Sequence, residues 1–127
     1  MSKYNNRTVV MPNGEVFDSQ KEARRYLELK MLEKAGEISC LKRQVPFLLI
    51  PAQLEESHEV FKKGPNKGQP KPGKVIEKPV YYYADFTYTV YKTSEYVVED
   101  AKGVKTEGYI LKRKLMLYVH KIRIKET

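Results

Sequence analysis

Apolar residues recur along this chain in two rhythms, one helical and one alternating, and together they mark where its elements should form. Val9-Val10 and Val16-Phe17 flank Met11-Pro12-Asn13-Gly14-Glu15, and the Asn-Gly pair between them predicts a small hairpin. Asp18-Ser19 then offers a helix N-cap, with Glu22 three residues after Ser19 as in a capping box. Ala23, Tyr26, Leu27 and Met31 follow at helical spacing, while Arg24, Arg25, Glu28 and Glu33 lie largely off that stripe. Gly36 is placed to stop this helix. Val45 to Ile50 reads as a short buried strand, closed by Pro51.

The longest alternating run is Tyr81 to Tyr91. It sets Tyr81, Tyr83, Asp85, Thr87 and Thr89 on one face and Tyr82, Ala84, Phe86, Tyr88 and Val90 on the other. Lys92-Thr93-Ser94 makes a turn, and Glu95 to Lys102 returns as the second strand of an antiparallel hairpin that Gly103 ends. Thr106 caps a second helix whose apolar face is Ile110, Leu111, Leu115, Tyr118 and Val119. In the final stretch, His120 to Lys125, Ile122 and Ile124 alternate with Lys121, Arg123 and Lys125 as in a half-exposed strand. The order predicts an α/β fold, a mixed β-sheet flanked by two helices.

At 127 residues the chain fits one domain, 1–127, with residues 1–18 forming a basic tail and the small hairpin. Residues 52–79 change character: Lys62, Lys63, Lys67, Lys71, Lys74 and Lys78 are separated by Gly and Pro, with little that could pack. They read as a flexible lysine-rich loop, either a solvated connector or a flap that closes over a phosphate backbone. The formal net charge of +8 implies a polyanionic partner bound in a salt-dependent way. Non-catalytic nucleic-acid binders share that signature, so charge narrows the partner and not the chemistry. With Cys40 the only cysteine, an intrachain disulfide is excluded and a cytoplasmic setting is expected. Cys40, His58 and His120 do not make a structural zinc set. No apolar run approaches the roughly 18 to 20 residues of a membrane span, and the first residues lack the apolar core of a secretory signal.

The candidate chemistry lies on the hairpin. Asp85 interrupts an aromatic run, where a partly buried carboxylate needs a partner. Asp100 and Lys102 share a strand face, with Glu99 and Ala101 on the other. Two carboxylates on neighbouring strands would give a hard divalent cation its oxygen donors, and an amine would stand beside it. Mg²⁺ suits such a set, with Mn²⁺ as a substitute, and phosphodiester cleavage uses it to neutralise charge and acidify water. Lys102 could stabilise developing charge or position the attacking water. Glu22 could join the two aspartates or simply cap its helix; position alone does not choose. Gln44 and Lys112 could lie near the same point, without a spacing argument for either. Each feature also has an ordinary reading: surface charge for Asp100-x-Lys102, core packing or a base-stacking platform for the aromatic run.

Three blocks carry a resemblance: Phe17-Asp18-Ser19-Gln20-Lys21-Glu22-Ala23, Tyr83-Ala84-Asp85-Phe86 and Val98-Glu99-Asp100-Ala101-Lys102-Gly103. Together they resemble the PD-(D/E)XK nuclease superfamily, nearest to a family of small phage and prophage proteins long filed as being of unknown function. Ala84 stands where the superfamily's name-giving proline would be. The resemblance implies a restriction-endonuclease-like core with the lysine-rich loop as an insertion. It assigns metal binding to Asp85 and Asp100 assisted by Glu22, and the superfamily lysine's role to Lys102. It also implies a Mg²⁺-dependent endonuclease acting on branched or structured DNA in phage recombination or packaging, as junction resolvases do, with a homodimer as one option and the host cytoplasm as its setting. DNA contacts would then fall to Lys62, Lys63, Lys67, Lys71, Lys74, Arg24, Arg25 and Lys112. The alternatives are a non-catalytic nucleic-acid-binding protein of the same fold and a protein-interaction module.

Overall fold

Ser19 and Gly36 bound the first helix by the chemistry their residue types supply. In the computed structural model, which describes residues 8–101 and 104–127, α1 runs Gln20–Lys34. The Ser19 hydroxyl accepts the Glu22 backbone N–H at 3.1 Å, a cap whose loss typically costs about 1 kcal/mol. At the other end Gly36 adopts φ +80°, its N–H meets the Glu33 carbonyl, and the Glu37 N–H meets that of Leu32. This paired closure needs a left-handed residue at Gly36, which glycine adopts without a Cβ penalty. Ahead of the helix, β1 (Val9–Val10) and β2 (Val16–Phe17) pair antiparallel around Asn13-Gly14, as the turn sequence predicts. The basic tail expected before them lies outside the described residues.

The remaining elements are β3 (Ile38–Ile50), β4 (Gln53–Leu54), β5 (Val75–Glu77), β6 (Val80–Val90), β7 (Tyr96–Asp100), α2 (Glu107–Leu115) and β8 (Lys125–Glu126). A four-stranded sheet has the order β3-β6-β7-β8, with β6 and β7 antiparallel and β7 and β8 parallel. The protein is thus mixed α/β, with a mixed sheet and, among the described residues, two α-helices. No helix among the described residues is long and apolar enough to cross a membrane.

The chain divides into two compact units: the described residues of Met1–Phe47 with Tyr82–Thr127, and Leu48–Tyr81. In the first, Leu29 of α1 is buried with Ile38, Phe86, Tyr88, Val97 and Ala101, with Tyr26, Leu32, Leu41 and Val90 packed around them. This core corrects the expected helix stripe. Leu27 and Met31 are 52% and 73% exposed, and the buried face instead runs through Glu22, Ala23, Tyr26, Leu29 and Leu32. That face carries charged residues the sheet satisfies, so hydrophobicity alone misplaces it: the Arg25 guanidinium meets Glu99, and the Glu33 carboxylate accepts the Leu41 N–H.

Three further expectations change. The strand expected from Val45 begins at Ile38, passes through Lys42-Arg43-Gln44 and is only half buried. Among the apolar residues expected on the face of α2, Leu111, Tyr118 and Val119 are exposed, whereas Tyr109 and Met116 are buried. The helix continues into a π-helical turn over Met116–His120, whose wider winding rotates later positions away from a regular stripe. Ile124 is buried rather than half exposed, although it directly precedes β8, which pairs with β7 at one end of the sheet order.

In the second unit, residues 52–79 are not a featureless loop. β4 and β5 pair antiparallel, Val60 bridges Pro70, and backbone hydrogen bonds join Phe61 with Gln69 and Glu59 with Lys71. At Gly73 a Cβ would run into the Glu55 carbonyl, so glycine is required there. Spaced glycines and prolines, read as loop composition, here serve the turns of a paired arm.

Candidate active site

Glu22 and Asp85 are held together by one amide. Gln44 Nε2 donates to Glu22 Oε1 and to Asp85 Oδ1, at 3.2 Å each. Three elements meet here: the first turn of α1, the middle of β3 and the middle of β6. Gln44 reaches the point from a left-handed backbone, φ +50°, a conformation that costs an L-residue roughly 1–2 kcal/mol. Strain of this kind persists where the surroundings over-determine it, and it concentrates at functional sites. Arg43, the preceding residue, lies with its guanidinium 3.7 Å over the Phe17 ring, donates to the Val16 carbonyl at 2.8 Å and stands 3.7 Å from Glu22 Oε1. It ties the N-terminal hairpin, α1 and β3 into one frame around the glutamate.

Asp85 is fixed on its other side by β7. Its Oδ2 accepts the Ala101 backbone N–H at 2.9 Å. The β6–β7 register pairs Phe86 with Glu99, and continued by one residue it sets Asp85 across from Asp100. Asp100 is fully buried and its Oδ2 accepts the Tyr82 hydroxyl at 2.6 Å. The Tyr82 phenol is pushed far up by burial and by the Asp100 charge, so it stays a proton donor to that carboxylate.

Glu99 takes the opposite side of β7, as strand alternation predicts. It is fully buried, accepts both Arg25 Nε at 2.6 Å and Nη2 at 2.9 Å, and accepts the Tyr88 hydroxyl at 2.7 Å. Burial alone would raise its pKa, but the Arg25 and Tyr88 hydrogen bonds outweigh it and hold the carboxyl below its usual value. Arg25 is therefore committed to a structural ion pair, with Glu28 as a second partner, and is not available as the phosphate contact expected of it. It follows Glu22 by less than one turn of the same helix, so the pair sets where α1 lies against β7.

Asp85 borders an open pocket of about 360 Å³ lined also by Asp18, Gln44, Tyr82, Tyr83, Tyr109 and Lys112, with Thr106 and Gly108 at the start of α2. Lys112 thus lies where the expected phosphate contact would be useful. Arg24 is exposed on α1, and Lys62, Lys63, Lys67, Lys71 and Lys74 are exposed in the second unit. Lys102 lies outside the described residues. Sequence patterns gave no sign of Tyr109 at the site and placed Tyr82 only in an aromatic run; the one signal for Arg43 was its place next to Gln44.

Burial pushes the Glu22 carboxyl up to about 7, with the Asp85 and Asp18 charges adding to the shift and Arg43 opposing it. An acid whose folded-state pKa is raised destabilises the fold as it ionises. Stability is therefore fully present below about pH 4.5, falls as pH rises towards 7, and levels off above. At about 1.4 kcal/mol per pKa unit the loss is on the order of 3 kcal/mol. Urea unfolding of the metal-free protein at pH 5 and pH 8 should show that loss, and Glu22→Gln should remove most of it. An equal pH response in both proteins would contradict this placement of Glu22.

Among the described residues, no three His, Cys, Asp or Glu side chains gather closely enough to hold a metal ion. The donor chemistry nonetheless fits a hard cation: oxygen only, two carboxylates sharing a single amide donor, and a raised Glu22 pKa that a cation would reverse. Mg²⁺ takes one or two protein carboxylates and completes its shell with water and phosphate.

Residues 1–126 match the model of a family described as protein of unknown function (DUF1064). No curated protein and no solved structure matches the chain. With nearly its whole length covered, the chain belongs to the DUF1064 family.

Proposed function

We propose that this protein is a Mg²⁺-dependent endonuclease of restriction-endonuclease-like architecture that cleaves branched or structured DNA. The observation that carries the reading is the convergence of Glu22 and Asp85 on the Gln44 amide, with Asp100 across the strand pair from Asp85. The order of these residues, a glutamate on the first helix and aspartates on successive strands, agrees with the resemblance to the PD-(D/E)XK superfamily. The net charge of +8 suits a polyanionic substrate.

Asp85 and Asp100, with Glu22, are the residues that would hold the ion. When bound, the ion would neutralise the scissile phosphate and make coordinated water more acidic. The chain's own contribution is positioning. Gln44 and the Ala101 N–H hold the Asp85 carboxylate from two sides, and Tyr82 holds that of Asp100. Such supports fix ligand orientation. Lys112 and the first turn of α2, which border the pocket, favour an anion there by charge and by the helix dipole. Lys102 is assigned the superfamily lysine's role, stabilising the charge that develops on the phosphate or orienting the water.

A second reading keeps the fold and charge for binding alone, and the lack of a three-ligand cluster among the described residues favours it. A labelled four-way junction incubated with the protein separates the two. The nuclease reading expects Mg²⁺-dependent nicks that vanish with EDTA and in Lys102→Ala. Tight binding without cleavage, indifferent to Mg²⁺, would leave the binding reading in place.

A further inference from the structure

A second concavity lies at the C-terminal end of α2, apart from the residues that line the candidate active site. Arg113 and Lys114 of α2, Leu117 of the π-helical turn, and Arg123, Ile124 and Glu126 at the C-terminal end line a cleft of about 390 Å³. Three cations face one carboxylate. That carboxylate is already engaged: Glu126 accepts the Tyr109 hydroxyl at 2.8 Å, Lys105 Nζ is 3.3 Å away and Arg113 Nη1 is 3.4 Å away. These partners hold it below its usual pKa despite some burial, so it stays an anion matched by its own neighbours. Lys114 and Arg123 are both exposed, and among the described residues neither has an ion pair with an acidic side chain.

The cleft is joined to the candidate active site through one hydrogen bond. Tyr109 lines the first pocket, Glu126 lines the cleft, and each holds the other. Lys112, which borders the first pocket, directly precedes Arg113 and Lys114, so one helix presents cations to both concavities. Leu117 and Ile124 give the cleft an apolar component between its charges, which suits a sugar face better than a free inorganic ion. A duplex carries one phosphate per 3.4 Å along each strand, so a backbone engaged at one concavity has further phosphates within reach of the next.

We propose that the Arg113–Lys114–Arg123 cleft is a binding site for the sugar-phosphate backbone of DNA, engaging phosphates beside those at the candidate active site. The proposal rests on the nucleic-acid reading of that site but not on its catalysis.

The test is binding of a fluorescein-labelled DNA duplex, followed by anisotropy in EDTA across a salt series. The protein used is Lys114→Ala/Arg123→Ala, which spares the partners of Glu126. Removing one cation from a phosphate lowers the slope of log affinity against log salt by about 0.9, so the double variant should lose close to 2 in slope and at least tenfold in affinity near 0.1 M salt. Lys30→Ala/Lys34→Ala on α1 removes the same charge elsewhere and should change both far less. Equal losses in the two variants would mean a net-charge effect and overturn the cleft, as would an unchanged slope in Lys114→Ala/Arg123→Ala. Loss confined to the cleft variant, in a protein that never cleaves, would support the cleft and reject the nuclease. Absence of DNA binding by the unaltered protein would reject both.

Discussion

Replacing Asp85 by asparagine is expected to abolish Mg²⁺-dependent DNA cleavage while the fold survives. The substitution keeps size and shape but removes a charge and one acceptor. Oδ1 of the asparagine can still accept the Ala101 N–H, whose bond to Asp85 is 2.9 Å. The new amide then faces Gln44 Nε2, and Gln44 must turn its own amide to present oxygen. That turn sets the Gln44 oxygen against Glu22, which a protonated Glu22 can satisfy; its pKa near 7 makes that form accessible at neutral pH. The structural cost is thus one weakened hydrogen bond, about 1 kcal/mol. The chemical cost is larger, since an anionic metal ligand contributes several kcal/mol of charge stabilisation, about a thousandfold in rate. Cleavage of the junction substrate should fall by that factor with an unfolding midpoint changed by only a few degrees. A variant that still cuts within tenfold of the parent would remove Asp85 from the chemistry.

Arg25→Met should destabilise the protein by about 3–5 kcal/mol, the largest stability effect the structure foresees. Glu99 is fully buried, and Arg25 makes two of its hydrogen bonds. Removing one partner of a buried pair leaves a charge without compensation, which costs far more than the intact pair contributes. For a chain of this size the loss corresponds to a drop of roughly 10–20 °C in Tm. The sign with pH is fixed by Glu99: its folded-state pKa is lowered, so the pair's stability is present above the usual glutamate range and is lost as pH falls through the lowered value. Arg25→Met should therefore narrow the gap between neutral and acid stability. Thermal melts at pH 7 and pH 4 measure this directly, and a variant that melts within about 3 °C of the parent at pH 7 would contradict the ion pair's role.

Much of the frame was legible in the residues, for reasons particular to each element. Ser19, Gly36, Asn13-Gly14 and Thr106 act through local backbone chemistry, so their effects do not depend on what packs nearby. The period of two in Tyr81 to Tyr91 located β6 to within one residue. Burial was harder to read, because α1 packs through a face that includes Glu22 and Arg25. Their partners, Gln44, Asp85 and Glu99, lie far away in sequence, and no local pattern announces them. For the same reason Lys42-Arg43-Gln44 fell outside the strand expected from Val45, although it forms the middle of a 13-residue strand. The pairing of β4 with β5 was hidden by a composition that also describes loops. Of the candidate site, Asp85 and Asp100 were singled out by type and strand placement and Glu22 as one of two readings, while the amide joining Glu22 to Asp85 depends on a backbone conformation that glutamine rarely adopts.

Calorimetric titration of the metal-free protein with Mn²⁺ addresses the cation site without requiring a substrate. The proposed function predicts a saturable binding event that Asp85→Asn and Asp100→Asn each remove, with Lys114→Ala/Arg123→Ala binding like the parent. Heat of binding that is absent in the parent, or unchanged in both aspartate variants, would contradict it.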